Sequence, residues 1–173
     1  ERVQVSYDGG TTWTDASGQP SGSGTVWSDD HGGSSLAQGS YSLKARIVDA
    51  AGNVAADGAM SSRVALVDSQ APAAPVVNTV AGDDTINDAE WTAGVSVGGT
   101  AEAGASVVVS WGTHSRTAMA DASGNWSVNF ESGTVPTTSV PISVTATDLA
   151  GNRSAVTERP VTINTSAPGF APV

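Results

Sequence analysis

The sequence contains no cysteine and few basic residues, and both shortages narrow its possible roles. Seven Lys and Arg stand against 17 Asp and Glu, giving a net charge of −10 that argues against a nucleic-acid partner. Without cysteine no disulfide can form, so packing, bound metal or neighbouring domains must stabilise the chain. No apolar run reaches the roughly 18 residues of a membrane span, so we expect no membrane insertion.

The composition favours an all-β fold. Ser, Thr, Val and Ala are abundant, 20 residues are glycine, and no stretch shows a helical apolar period. Only 5% of the residues are aromatic, and the five tryptophans lie mostly in or beside expected strands, where their rings would fill a core. The alternative is that exposed rings stack on sugars. Trp13, which follows the glycine-rich segment 8–12, is the strongest candidate for that role.

Residues that could carry catalysis are sparse. His31 and His114 lie in Gly- and Thr-rich segments without the spacing of zinc ligands or a nucleophile dyad. No Gly-x-Ser-x-Gly elbow is present. The carboxylates lie on expected loop tips rather than around an apolar cleft, which argues against a glycosidase pair. The sequence therefore predicts that this chain is not an enzyme.

Three motifs of the form Asp-x-x-Gly-Asn punctuate the chain, at residues 49–53, 121–125 and 148–152. Asp and Asn hydrogen-bond to their own backbone, and Gly adopts positive φ without steric cost. Each motif therefore predicts a tight turn between two strands. Each turn also places a carboxylate at a loop tip.

An internal repeat underlies these motifs. Three pairs of segments align, with offsets of 104, 99 and 96 residues: 2–7 with 106–111, 43–49 with 142–148, and 67–72 with 163–168. A repeat of about 100 residues is the usual size of one immunoglobulin-like (Ig-like) β-sandwich. The sequence therefore predicts tandem Ig-like β-sandwich domains, the first lacking its N-terminal strands.

The alignment also sets the expected boundaries. Residues 1–68 form a partial sandwich whose first two strands are missing, 69–75 a Pro-rich linker, 76–166 a complete seven-stranded sandwich, and 167–173 the start of a further linker or unit. The seven strands are expected at 76–80, 95–99, 106–111, 116–120, 126–130, 142–147 and 159–164. Proline restricts φ, so the linker is expected to be stiff. Alternatively, its prolines only begin a strand and discourage edge pairing.

An ordered set of short patterns carries a family resemblance. Its members are the three Asp turns, Val67-Asp68 followed by residues 71–75, residues 83–87 followed by Glu90, residues 98–101 followed by Gly104-Ala105, and Asp121 followed by residues 124–126. Together they resemble the bacterial Ig-like repeats of giant, type I-secreted, biofilm-associated and repeats-in-toxin-like adhesins. The resemblance implies an extracellular stalk on a bacterial cell surface that holds an adhesive tip away from the cell and supports biofilm formation. The partners it implies are the neighbouring repeats of the same chain, while glycan or surface-protein contact belongs to other domains.

The resemblance further implies calcium at the domain junctions. In the expected sandwich, the loops after strands two, four and six gather at the end where the chain enters the second unit. They carry Glu102, Asp121 and Asp148, and the linker residue Asp68 arrives at the same end. Calcium binds six to eight oxygen ligands, mostly carboxylates and carbonyls, so this cluster predicts a calcium site.

Three further carboxylates belong to this prediction. Asp49 would occupy the equivalent place at an upstream junction, and Asp83 and Asp84 lie toward the downstream one, where Asn164 replaces the linker aspartate. The competing interpretation is that each aspartate only forms its own turn.

Two functions are compatible with these patterns. The first is a calcium-rigidified extender of an adhesin. The second is a ligand-binding Ig-like module near an adhesin tip, contacting glycan or a surface protein. Buried aromatic rings would favour the extender, and a row of exposed rings on one sheet would favour the binding module.

Overall fold

A computed structural model describes residues 1–20, 26–56 and 61–166, and its internal contacts divide the chain into two units, Glu1–Ser69 and Gln70–Val173. Within the described ranges, regular structure is almost entirely β, as the composition predicts. No helix in those ranges is long and apolar enough to cross a bilayer.

The described residues of unit 1 form one antiparallel sheet. Its strands are β1 (Arg2–Ser6), β2 (Thr14–Asp15), β3 (Gly39–Val48) and β4 (Ser61–Val67), in the order β2-β1-β3-β4. A 3-10 turn, His31–Gly33, lies between β2 and β3. Val3 and Val5 alternate onto one face of β1 and pack with Ala16, so the core of this unit is small.

Residues 70–166, the described part of unit 2, contain nine strand segments in three sheets. They are β5 (Val76–Val77), β6 (Thr85–Ile86), β7 (Val95–Thr100), β8 (Ser106–Trp111), β9 (His114–Met119), β10 (Asn125–Phe130), β11 (Ile142–Thr147), β12 (Thr157–Arg159) and β13 (Thr162–Ile163). The sheets have the orders β10-β7-β5 and β12-β11-β8-β9, and β13 pairs in parallel with β6. The segment expected as one strand at 159–164 is interrupted at Pro160, which has no N–H to donate to a ladder.

The two larger sheets of unit 2 bury a common core. Val107, Val109 and Trp111 alternate on β8 and are fully buried, as are the facing Val97 and Phe130. The rings of Trp111 and Phe130 meet edge to face, with centroids 5.4 Å apart and planes at 89°. This arrangement is the all-β sandwich predicted from the alternating pattern.

One short helix was not expected from the sequence. Helix α1 (Asp88–Ala93) begins with a capping box, in which the Asn87 side chain accepts from the Glu90 N–H and the Glu90 carboxylate accepts from the Asn87 N–H. The Asn-x-x-Glu spacing was a usable signal for it. At six residues the helix is too short to show an apolar period, so a search for periodicity missed it.

Candidate functional site

The first acidic turn closes as the sequence predicts. Asp49 Oδ1 accepts from the N–H groups of Ala51 and Asn53, at 2.9 and 2.8 Å, and the Asn53 side-chain amide donates to Asp49 Oδ2 at 2.8 Å. Two backbone hydrogen bonds also close the turn: the Asp49 N–H donates to Asn53 O, and the Gly52 N–H donates to Asp49 O. Gly52 has a φ of +92°, a conformation that favours glycine.

The other two turns repeat this geometry. Asp121 Oδ1 accepts from the N–H groups of Ser123 and Asn125, each at 2.8 Å. Asp148 accepts from the N–H and the side-chain amide of Asn152, also at 2.8 Å. The predicted turns are therefore confirmed. Each carboxylate holds its own turn, yet a carboxylate offers about four acceptor positions, so capacity for another ligand remains.

These hydrogen bonds also keep the turn carboxylates ionised. The Asn53 side chain lowers the pKa of Asp49, the Asn125 backbone lowers that of Asp121, and the Asn152 side chain lowers that of Asp148. A hydrogen bond donated to a carboxylate favours its charged form. At neutral pH each turn therefore presents a full negative charge.

Three loops of unit 2 meet at one end of the sandwich, as its topology predicts. The Ala101 N–H donates to Gly124 O at 2.9 Å, and the Gly104 N–H donates to Ala120 O at 3.0 Å. A Cβ on Gly104 would lie 3.7 Å from the Leu149 side chain, which places the third loop beside the first. The loops that carry Glu102, Asp121 and Asp148 are thus neighbours.

Proximity of these loops does not by itself assemble a metal site. Within the described ranges, no three Asp, Glu or His side chains are grouped so that they could hold a metal ion. Glu102 is exposed, Asp121 is exposed, and Asp148 is 9% exposed. Asp68 follows the end of β4 in unit 1 and is half-buried. Its pairing with Asp148 at the domain junction stays a prediction.

Asp84 has a different partner. Its carboxylate forms an ion pair with Arg159, whose Nε lies 2.9 Å from Asp84 Oδ1, and it also accepts from the Val80 N–H at 2.9 Å. The Arg159 hydrogen bond is the main cause of the lowered pKa of Asp84. A cation at this carboxylate would have to displace the guanidinium. The neighbouring Asp83 accepts from the Thr85 N–H at 2.9 Å and is exposed.

The hairpin before Trp13 is a closed structural unit. The Asp8 carboxylate accepts from the Thr12 N–H and hydroxyl, and the Thr12 hydroxyl is the main cause of a pKa for Asp8 well below its usual range. The Trp13 indole donates to Gly10 O at 2.9 Å, and the Arg46 guanidinium stacks 4.1 Å from its ring centre. One face of this ring is therefore occupied, which disfavours the sugar-stacking interpretation.

The remaining tryptophans divide by exposure. Trp111 and Trp126 are buried in the core of unit 2. Trp91 packs against that core, and its indole donates to Pro136 O at 3.1 Å. Trp27 is 39% exposed. The described tryptophans thus form no exposed row on one sheet.

Comparison with protein families covers nearly the whole chain. Residues 71–162 match the family described as Bacterial Ig domain, and this match spans more than half of the sequence. The chain belongs to the bacterial Ig domain family. Residues 3–69 match a second family, described as Bacterial Ig-like domain. The two bacterial Ig matches therefore follow one another along the chain.

Several solved structures similar to this bacterial Ig chain are of adhesins. One is from a 1.5-MDa bacterial ice-binding adhesin, in work on its retention at the host cell surface. It is 24% identical over 95% of this chain, with a TM-score of 0.49. A bacterial immunoglobulin-like domain of the M. primoryensis ice-binding adhesin is 28% identical over 54% of this chain and 96% of its own, with a TM-score of 0.43. A Ca²⁺-stabilized adhesin of an Antarctic bacterium is 26% identical over 96% of this chain, with a TM-score of 0.48.

The bacterial Ig chain spans 53% of the length of the first of these structures and 40% of the third. A comparison with curated protein sequences gave no significant match.

Proposed function

We propose that this chain is an extender segment of a bacterial cell-surface adhesin, located outside the cell and without enzymatic activity of its own. The observation that carries the proposal is the pair of successive bacterial Ig matches, which leave a single residue between positions 69 and 71. Sandwiches that follow one another along a chain add length. The segment between β4 (Ser61–Val67) and β5 (Val76–Val77) contains Pro72 and Pro75, which restrict the flexibility of the joint. Its immediate partners are then the neighbouring Ig repeats of the same polypeptide. It supports adhesion and biofilm formation by holding an adhesive tip away from the cell.

The placement of the aromatic rings favours the extender over the binding module. Trp111 and Trp126 stabilise the core of unit 2, and Trp13 is covered on one face by Arg46. A glycan-binding surface typically needs accessible ring faces beside polar groups. Trp27 alone among the described tryptophans offers substantial exposure, and one such ring does not make a binding face.

We further propose that calcium rigidifies the junction between units, with Asp68 and Asp148 as the principal ligands and Asp121 and Glu102 as supporting ones. The lowered pKa of Asp148 supports this assignment, because the carboxylate is ionised well below neutral pH. Its turn hydrogen bonds also fix the carboxylate in place, which reduces the entropy lost on binding a cation. Asp49 would serve at the preceding junction and Asp83 at the following one.

Calorimetric calcium titration tests this proposal, with thermal melts alongside. Saturable binding should raise the melting temperature, and both effects should be lost in Asp68→Ala and Asp148→Ala. A ligand present at 100 times its Kd stabilises the folded state by about 2.7 kcal/mol, a shift that melts detect readily.

Two control variants separate metal binding from the turn and from net charge. Asp148→Asn keeps one side-chain oxygen for the Asn152 N–H but loses the negative charge and the acceptor for the Asn152 side-chain amide. Without calcium it should therefore destabilise the fold less than Asp148→Ala does, and it should respond less than the parent to added calcium. Glu158→Gln removes one exposed charge on β12 and should leave calcium binding intact. Binding that survives both alanine substitutions would show that these carboxylates only form their turns.

A further inference from the structure

Two segments of unit 2, one near its start and one near its end, lie side by side and run in the same direction. They are residues 75–86 and 157–164, and we call the boundary between them the seam. At its centre, β6 and β13 pair in parallel. The Thr162 N–H donates to Asp84 O and the Asn164 N–H donates to Ile86 O, each at 2.9 Å. The backbone therefore holds the seam on both sides of this pairing.

Side chains fasten the same seam ahead of β6 and β13. The Thr157 hydroxyl donates to Pro75 O at 2.6 Å. Arg159 then reaches across to two partners: its Nε lies 2.9 Å from Asp84 Oδ1, and its Nη2 donates to Thr79 Oγ1 at 3.1 Å. These contacts follow one another in chain order along both segments, so the seam is fastened along its whole length.

Asp84 also fixes the bend in the first segment. Its N–H donates to Val80 O at 2.8 Å, and its Oδ1 accepts from the Val80 N–H at 2.9 Å. The turn 80–84 is thus closed by its own hydrogen bonds. A pull on the chain ahead of residue 75 is therefore transmitted through this turn to β6 and is not absorbed by straightening a loose loop.

The direction of the two segments decides how tension acts on the seam. Within unit 2, residues 70–74 precede the first segment, and the chain continues past residue 164 after the second. Tension between these two points pulls the first segment toward its N-terminal end and the second toward its C-terminal end. Because the segments are parallel, these pulls act in opposite directions along the seam. The bonds across it are then sheared together and share the force.

We propose that the seam is a mechanical clamp that resists tension along the chain, and that the Asp84–Arg159 ion pair is its side-chain latch. Strands β7 to β11 lie between the two segments in the chain, so tension reaches them only after the seam has opened. The use of the clamp rests on the extender role proposed above, since a spacer that holds an adhesive tip bears tension. The forces that the clamp resists are a property of unit 2 alone.

Optical tweezers test the clamp by pulling the chain in two directions. The sequence has no cysteine, so two introduced cysteines give unique attachment points. Glu1→Cys with Val173→Cys shears the seam, and unit 2 is then identified by the longer stretch of chain that it releases. Asp88→Cys with Thr165→Cys pulls apart the adjacent C-terminal ends of β6 and β13, so the seam opens one bond at a time. The proposal predicts that unit 2 unfolds at a higher force in the first direction.

Two substitutions test the latch. Arg159→Gln removes the guanidinium, and Asp84→Asn removes the negative charge but keeps an oxygen for the Val80 N–H. Each should lower the unfolding force of unit 2 in the shearing direction.

Val109→Ala is the matched control for the latch. It truncates a fully buried side chain of β8 and leaves the seam intact, so it should lower the melting temperature at least as much as Arg159→Gln does. It should change the unfolding force less, because forced unfolding follows the unfolding rate. A core that is still packed when the seam opens does not alter that rate.

Two results would overturn the proposal. Equal unfolding forces in the two pulling directions would show that the seam is not a clamp. Losses of force in Arg159→Gln and Val109→Ala that follow their losses of melting temperature would show that the ion pair is not a latch. The first comparison leaves every seam contact in place, so it holds even where a latch variant does not fold. Failure of the extender role would change none of these forces.

Discussion

Replacement of Trp111 by alanine should destabilise unit 2 far more than any surface substitution. Trp111 is 0% exposed, meets Phe130 edge to face, and donates its indole N–H to Val140 O at 3.2 Å. Truncation of a buried Trp typically costs about 3–5 kcal/mol. The lost ring pair adds about 0.5–1.5 kcal/mol, and the Val140 carbonyl loses its partner.

A loss of about 4 kcal/mol is a large part of the 5–15 kcal/mol that stabilises a typical domain. For a domain of 60–100 residues it lowers Tm by about 15–30 °C. Differential scanning calorimetry measures the shift. Trp27→Ala is the matched control, because Trp27 is 39% exposed and its removal should cost less than about 1 kcal/mol. Similar Tm shifts for the two variants would refute the claim that Trp111 stabilises unit 2 by packing in its core.

Three further substitutions test separate contacts. Gly99→Ala places a Cβ 1.9 Å from a main-chain oxygen of β5, so it should cost at least about 1–3 kcal/mol in urea denaturation. Arg159 lowers the pKa of Asp84, so the stability that this ion pair contributes is present above pH 3.8 and is lost as the pH falls through the lowered pKa. In Asp84→Asn the melting temperature should therefore depend less on pH in that acid range. Burial and the hydrogen bond to Asp29 raise the pKa of Tyr7 to about 12, so ultraviolet titration should show late ionisation that Asp29→Ala moves toward 10. Stability tied to Tyr7 is then present below pH 10 and falls between about pH 10 and 12.

Local chemistry explains what could be predicted from the sequence. The three Asp-x-x-Gly-Asn turns depend on contacts within five residues, so their geometry follows from the motif. The alternation of Val107, Val109 and Trp111 likewise fixes which face of β8 is buried. The segments that the internal repeat aligns also pair in the same register: Leu43 of β3 pairs with Arg63 of β4, and Ile142 of β11 pairs with Arg159 of β12.

Long-range contacts explain what could not be predicted. Asp84 and Arg159 are 75 residues apart, and nothing near either residue indicates that they form an ion pair. Sequence reasoning therefore placed Asp84 among candidate calcium ligands without its guanidinium partner. The stacking of Arg46 on Trp13 is a contact of the same kind, because it depends on which strands become neighbours.

The central claim is that calcium stiffens the joint between two bacterial Ig units. The most direct measurement places one fluorophore in each unit and records the distribution of distances by single-molecule energy transfer, with calcium and with chelator. The account predicts a narrow distribution in calcium that broadens on chelation, and a broad one in Asp68→Ala under both conditions. Identical distributions with and without calcium in the unsubstituted chain would contradict it.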